Sequence, residues 1–126
     1  MIDHVSIAVS DLAAGAQLYE RMLAPLGLVR LVTREATVGF GKRYPEFWLN
    51  HRAGLAPGPA NPGTHICLRA PDEAAVRAFF AAALAGGCVS DGDPGPRQGA
   101  ITGYYGAFIL DRDGNKIEAA TFPRAG

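Results

Sequence analysis

Apolar residues alternate with small or polar ones along Val5-Ser6-Ile7-Ala8-Val9-Ser10, the two-residue period of a half-buried strand. Ser10 or Asp11 can then cap a helix by accepting backbone N–H bonds in its first turn. Over residues 12–24, Leu12, Ala16, Tyr19 and Leu23, flanked by Gly15, Leu18 and Met22, form one helical stripe that Pro25 and Gly27 end. Residues 27–33 and 36–40 read as strands, and past a turn over 41–45 a further strand covers 46–50. The first module is therefore βαβββ, residues 1–50.

Residues 51–63 contain Pro57, Pro59 and Pro62 with interspersed glycines, which predicts an irregular linker. The same order then returns over 64–126. A strand at 64–70 leads to a helix opened by Pro71 and Asp72, with Val76, Phe79, Phe80, Ala83 and Leu84 on one face and Gly86-Gly87 at its end. A short strand at Cys88 and Val89 enters a glycine- and proline-rich loop over 91–103. A strand at 104–110, an Asp-Gly turn at 111–115 and a last strand at 116–122 complete the module.

The two modules echo each other. Adding 61 lays His4 on His65, Val5 on Ile66, Ile7 on Leu68, Asp11 on Asp72, Tyr19 on Phe80 and Leu23 on Leu84. Past the loop the offset grows to 70, laying 36–40 on 106–110 and Trp48 on Glu118. The additional residues fall in the 91–103 loop, which is the expected lid or specificity element. With 126 residues the chain has the size of a single domain. The expected fold is α+β: two βαβββ modules forming an open, incomplete mixed barrel around a cleft.

Parity assigns faces to the strands. Val5, Ile7 and Val9, Phe47 and Leu49, Ile66, Leu68 and Ala70, and Ile117 and Ala119 belong under the helices. The opposite face carries His4, Ser6 and Ala8; Glu46, Trp48 and Asn50; His65, Cys67 and Arg69; and Lys116, Glu118 and Ala120. Two neutral imidazoles and one carboxylate on a shared cleft form a 2-His-1-carboxylate set for a divalent ion, with positions open to water or substrate. A plainer account also fits the pattern, in which the histidines are half-buried and satisfied and Glu118 pairs with Arg69 or Lys116.

Charge narrows the partners. Twelve basic and twelve acidic side chains cancel, so no net field points to nucleic acid or an anionic membrane. No apolar run is long enough to span a bilayer, and Met1 leads directly into a strand pattern. Two cysteines, Cys67 and Cys88, make no disulfide framework. Cys67 has no activating neighbour in sequence and reads as packing. The expectation is a cytoplasmic protein with a small-molecule partner.

At residues 3–12, at Gly63-Thr64-His65-Ile66 and at 108–118 the sequence resembles the vicinal oxygen chelate superfamily, which includes glyoxalase I, extradiol dioxygenases, fosfomycin resistance proteins and bleomycin-binding proteins. The resemblance implies metal ligands at His4, His65 and Glu118, a divalent cofactor (Fe, Mn, Ni, Co or Zn) in the enzymes, and a homodimer whose modules pair within one chain or swap between two. Enzymes like glyoxalase I use a further Glu or Gln ligand where this chain has Trp48. Indole carries an N–H and no lone pair for a metal, and Glu46 lies two residues away. Glyoxalase I chemistry is therefore not expected.

Two functions stay open. One is a metal-dependent lyase, isomerase or dioxygenase acting on a small oxygenated substrate, with Glu118 and Tyr105 catalytic and Trp48, Arg69, Tyr104 and Arg97 around the substrate. The other is a metal-free, antibiotic-type binding protein that stacks a planar compound on Trp48 and a tyrosine. Tyr104 and Tyr105 are successive strand residues, so one of them faces the cleft.

Overall fold

Each module opens on a strand whose apolar side chains need a cover and whose next turn supplies a helix cap. The computed structural model describes residues 1–56, 63–97 and 103–122. In the first module β1 (Val5–Val9) leads to helix α1 (Leu12–Leu23), where Asp11 is the cap, its carboxylate accepting from the N–H of Ala14 at 3.0 Å. A 3-10 turn, Ala24–Leu26, ends on Gly27 at φ +85°, the left-handed region that favours glycine. Strands β2 (Val29–Thr33), β3 (Thr37–Gly41) and β4 (Phe47–His51) follow. The second module repeats the order with β5 (Ile66–Arg69), α2 (Glu73–Ala85), β6 (Val89–Pro96), β7 (Tyr105–Leu110) and β8 (Lys116–Thr121). Asp72 caps α2 as Asp11 caps α1, accepting from the N–H of Ala75 at 2.8 Å.

The fold is α+β, with two four-stranded mixed sheets ordered β1-β4-β3-β2 and β5-β8-β7-β6 and no closed barrel. In both sheets the first strand runs parallel to the last and the other pairings are antiparallel. Ile7, Val9, Phe47, Leu49, Ile117 and Ala119 are buried on the helix side, as parity predicts. Both helices pack against each other over one core that joins the modules.

A buried polar network reinforces that join. Asp111 accepts from the Tyr19 hydroxyl at 2.6 Å, from the N–H groups of Asp113 and Asn115 and from the Asn115 side chain, each at 2.9 Å. The Asn115 amide also donates to the carbonyl of Ala8, and Asp113 accepts from the N–H of Ser10. The β7–β8 turn of the second module is thus tied to β1 and α1 of the first.

Three expectations need correction. The stretch from Asp91 is not a loop at its start, because β6 runs to Pro96 against β7 with register shifts around Gly92. Pro94 and Pro96 lack an N–H, but β6 is an edge strand with bulged pairing, where such residues are tolerated. Residues 98–102 of the expected lid lie outside the described residues, as do 57–62 of the linker. Second, α2 is turned relative to α1. Val76, Phe79 and Ala83 are buried as expected and Phe80 is half-buried against the core, but Ala75 joins them and Leu84 is 41% exposed, so the buried face is rotated although the two caps keep the 61-residue offset. α2 packs on α1, on the 3-10 turn and on β6, β7 and β8.

Third, the β3 offset is 69. Gly39 pairs with Trp48 as Phe108 pairs with Glu118, because Ile109 and its partner Ile117 are one residue further apart in sequence than Phe40 and its partner Phe47. The equivalence of Trp48 and Glu118 stands. Ser6 lies opposite Trp48 as Cys67 lies opposite Glu118.

Candidate functional site

Glu118 sits on β8, an inner strand of the second sheet, flanked by Cys67 on β5 and Phe108 on β7. It is only 6% exposed, although it lies on the face turned away from the helices. A carboxylate so placed needs partners, since burying an unpaired charge is costly. Oε1 is 3.0 Å from Nε2 of His65, and Oε2 accepts from the Tyr104 hydroxyl at 2.5 Å. Burial, followed by the hydrogen bond to Glu118, holds the Tyr104 phenol well above its usual range, so it keeps its proton at neutral pH. Burial first and the Glu118 charge second push the Cys67 thiol up to about 12. That makes Cys67 a poor nucleophile.

Aromatic rings and cations line the same face. Phe108 packs against the His65 ring at 5.7 Å, and Phe122 meets Tyr104 edge-on at 5.7 Å. Arg69 lies 5.1 Å over the Phe122 ring, while Arg97 and Lys116 approach Phe108 at 5.7 and 4.9 Å. Arg97 donates to the carbonyls of Asp93 and Pro96, and Lys116 pairs with Asp91 at 2.9 Å. Of these three cations, only Arg69 has neither a carboxylate nor a carbonyl partner among the described residues.

The structure sorts the expected site residues into two groups. His65, Tyr104 and Glu118 come together, with Arg69 and Arg97 around them. Tyr105 does not join them. Its side chain points to the helix layer, where its hydroxyl accepts from Arg77 of α2 at 3.4 Å, so Tyr104 and not Tyr105 is the site tyrosine. Trp48 belongs to the first sheet, with Arg34 lying 5.6 Å over its ring.

His4 is exposed and its Nδ1 is bonded to Asp3 at 2.8 Å. Among the described residues no three His, Cys, Asp or Glu side chains are close enough to share an ion. The expected His4–His65–Glu118 cluster is therefore not assembled within one chain.

Phe108, Phe122 and Gly106 escaped the reading by residue chemistry, since none of them titrates. Gly106 is the most informative. A Cβ there would collide with the Tyr104 hydroxyl and come within 2.9 Å of the Ala119 carbonyl, so the bare backbone is what lets the Tyr104 ring lie back over the sheet. Gly106→Ala is expected to swing that ring off Glu118 and bring one phenol back towards the ordinary tyrosine range. Ultraviolet difference titration against Tyr104→Phe checks this, and an unchanged titration would refute it.

The whole arrangement matches a known family. The pattern of the Glyoxalase/Bleomycin resistance protein/Dioxygenase superfamily fits residues 1–119. The chain belongs to this superfamily. A glyoxalase/bleomycin resistance protein from Albidiferax ferrireducens T118 shares 30% identity, with a TM-score of 0.81 over 94% of this chain and 97% of that one. Two further structures share the superfamily's fold at lower identity. The fosfomycin resistance protein FosX from Listeria monocytogenes is 14% identical, with a TM-score of 0.69 over 98% of this chain and 93% of that one. An E144Q mutant of glyoxalase I from Zea mays is 19% identical, with a TM-score of 0.72 over 94% of this chain and 45% of that one. No curated protein sequence matches the chain. Among the described residues no helix is long and apolar enough to cross a membrane.

The His65–Glu118 pair can be tested against the divalent ion that superfamily membership suggests. Nitrogen and oxygen ligands about 2.1 Å from one ion, at right angles, lie ~3.0 Å apart. The observed Nε2–Oε1 separation is 3.0 Å, so the pair fits two adjacent coordination positions as well as it fits a hydrogen bond. The donor set, one imidazole and one carboxylate, suits the borderline divalent metals.

Proposed function

We propose that the chain is a divalent-metal-dependent enzyme acting on a small, oxygenated, anionic substrate. His65 and Glu118 of one copy would hold the ion together with His4 from a second copy. The observation that carries this reading is Glu118 itself, a buried carboxylate on an otherwise open sheet face with an imidazole on one oxygen and a phenol on the other. When bound, the ion would supply Lewis acidity towards an oxygen of the substrate. The chain's own residues do the rest. Tyr104 retains its proton and donates it in a hydrogen bond, to Glu118 at rest and to a substrate oxygen that displaces that contact. Arg69 stands two residues along β5 from the Cys67–Glu118 rung, roughly 6.6 Å, with a guanidinium that has no carboxylate partner among the described residues and would grip one on the substrate. Phe108 and Phe122 keep water from the floor between them.

A second copy is needed because His4 belongs to the other module, is exposed and joins no ligand group among the described residues of its own chain. Complementation tests the whole reading. His4→Ala and His65→Ala should each lose bound metal, and mixing them after joint refolding should restore about a quarter of the wild-type metal, since half the dimers are mixed and each has one intact site of two. Metal-free wild-type protein, or mixed protein that stays metal-free, would sink it.

One observation favours a second reading, a metal-free binding site. Both Glu118 oxygens already have protein donors. In that case Glu118→Gln would leave ligand binding intact and the wild-type protein would carry no metal.

A further inference from the structure

The His4 ring is held by the Asp3 carboxylate, which is itself held by Tyr44. Oδ1 of Asp3 lies 2.8 Å from Nδ1 of His4, and Oδ2 of the same carboxylate accepts from the Tyr44 hydroxyl at 2.9 Å. A carboxylate only accepts, so Nδ1 must carry a proton, and in the neutral ring Nε2 then keeps its lone pair. Tyr44 reaches Asp3 from the turn between β3 and β4, 41 residues away in sequence. That turn is fixed on both sides. The N–H of Val5, next to His4, donates to the Glu46 carbonyl at 2.9 Å, and the N–H of Glu46 donates to the Phe40 carbonyl at 2.8 Å. Gly41 is required there, because a Cβ would collide with the Tyr44 carbonyl.

We propose that Asp3 and Tyr44 are positioning residues: Tyr44 fixes the Asp3 carboxylate, and Asp3 fixes the His4 ring as the Nδ1–H tautomer with Nε2 presented outward as a metal-binding nitrogen. This rests on the reading of His4 as a ligand given above. Carboxylates behind ligating imidazoles commonly set tautomer and ring orientation, and losing one weakens metal binding. The other half of the repeat uses the other ring nitrogen, His65 turning Nε2 towards the Glu118 carboxylate where His4 turns Nδ1 towards Asp3. The two halves differ behind the ring. Asp3 has Thr64 as its counterpart at the 61-residue offset, so His65 has no carboxylate beside it in sequence.

The test uses the full chain and Co(II) as the probe, with long-range proton–nitrogen correlation spectra of the metal-free protein at a pH where the imidazole is neutral. Wild type should show His4 protonated at Nδ1. Asp3→Ala should lose that preference and weaken Co(II) binding about 10- to 100-fold. Tyr44→Phe should keep the tautomer and weaken binding by a smaller factor. Both side chains are exposed, so the variants should fold, and circular dichroism checks that. Wild type that binds Co(II) through His4, paired with Asp3→Ala that binds equally well, overturns the positioning role alone. A His4 ring protonated at Nε2 in wild type does the same. Wild type that takes up no Co(II), or His4→Ala that takes it up as tightly as wild type, overturns the metal reading and this role with it.

Discussion

Asp111→Ala is expected to lower the free energy of unfolding by about 3–5 kcal/mol, the range for breaking a buried, charge-assisted network from one side. The side chain is 8% exposed and accepts four hydrogen bonds, including one from Tyr19, which is fully buried. Removing the carboxylate leaves the Tyr19 hydroxyl without its acceptor in an apolar core. It also frees the turn that carries Asn115 to the Ala8 carbonyl and Asp113 to the Ser10 N–H. Tyr19→Phe deletes only one donor and should cost about 1–2 kcal/mol. Because the two residues share that contact, the double variant should be scarcely less stable than Asp111→Ala alone. Urea unfolding of the three variants measures this. A loss below about 1 kcal/mol for Asp111→Ala would show that the turn contributes little to joining the modules.

Asp111 marks the boundary of what the sequence alone discloses. The Asp-Gly signal at 113–114 identifies a turn between two strands, because turn chemistry is local. That Tyr19, 92 residues earlier, bonds to that turn is tertiary information with no local trace. The strand faces were legible for the same reason the turn was. A period of two decides which side chains share a face, and burial of Val9, Leu49, Ile117 and Ala119 follows it. Helix rotation is set by neighbours outside the helix, so the α2 pattern found Val76, Phe79 and Ala83 but wrongly included Leu84 and missed Ala75. The site divides along the same line. Placing His65 beside Glu118 needed only parity and parallel pairing of the first and last strands. Choosing between Tyr104 and Tyr105 needed the start of β7 to within one residue, where pattern reading is weakest. Placing His4 needed the relation between modules, which the repeat does not encode.

The fold should also lose stability steadily on the alkaline side, and the sign follows from two groups beside Asp111. Burial first, then the Asp111 charge, push the Cys88 thiol up to about 12 and hold the Tyr19 phenol well above its normal range. In the unfolded chain a thiol ionises near pH ~8.5 and a phenol near ~10. The folded state therefore favours the protonated forms. Their contribution is fully present below about pH 8.5 and declines as pH rises, because the unfolded state alone releases protons there. The slope is about 1.4 kcal/mol per pH unit for each group, so Cys88 should account for about 3 kcal/mol by pH ~11, with Tyr19 adding about 1 above pH ~10. Cys67 is raised as well, but it lies exposed on the open face, where water screens it, so its share is smaller. Unfolding midpoints in urea between pH ~8 and ~11 test the claim, the interval being set by the same reference values. Cys88→Ala should flatten the first part of the decline and Tyr19→Phe the last. A midpoint that does not move across that interval would mean that neither group is kept protonated by the core around Asp111.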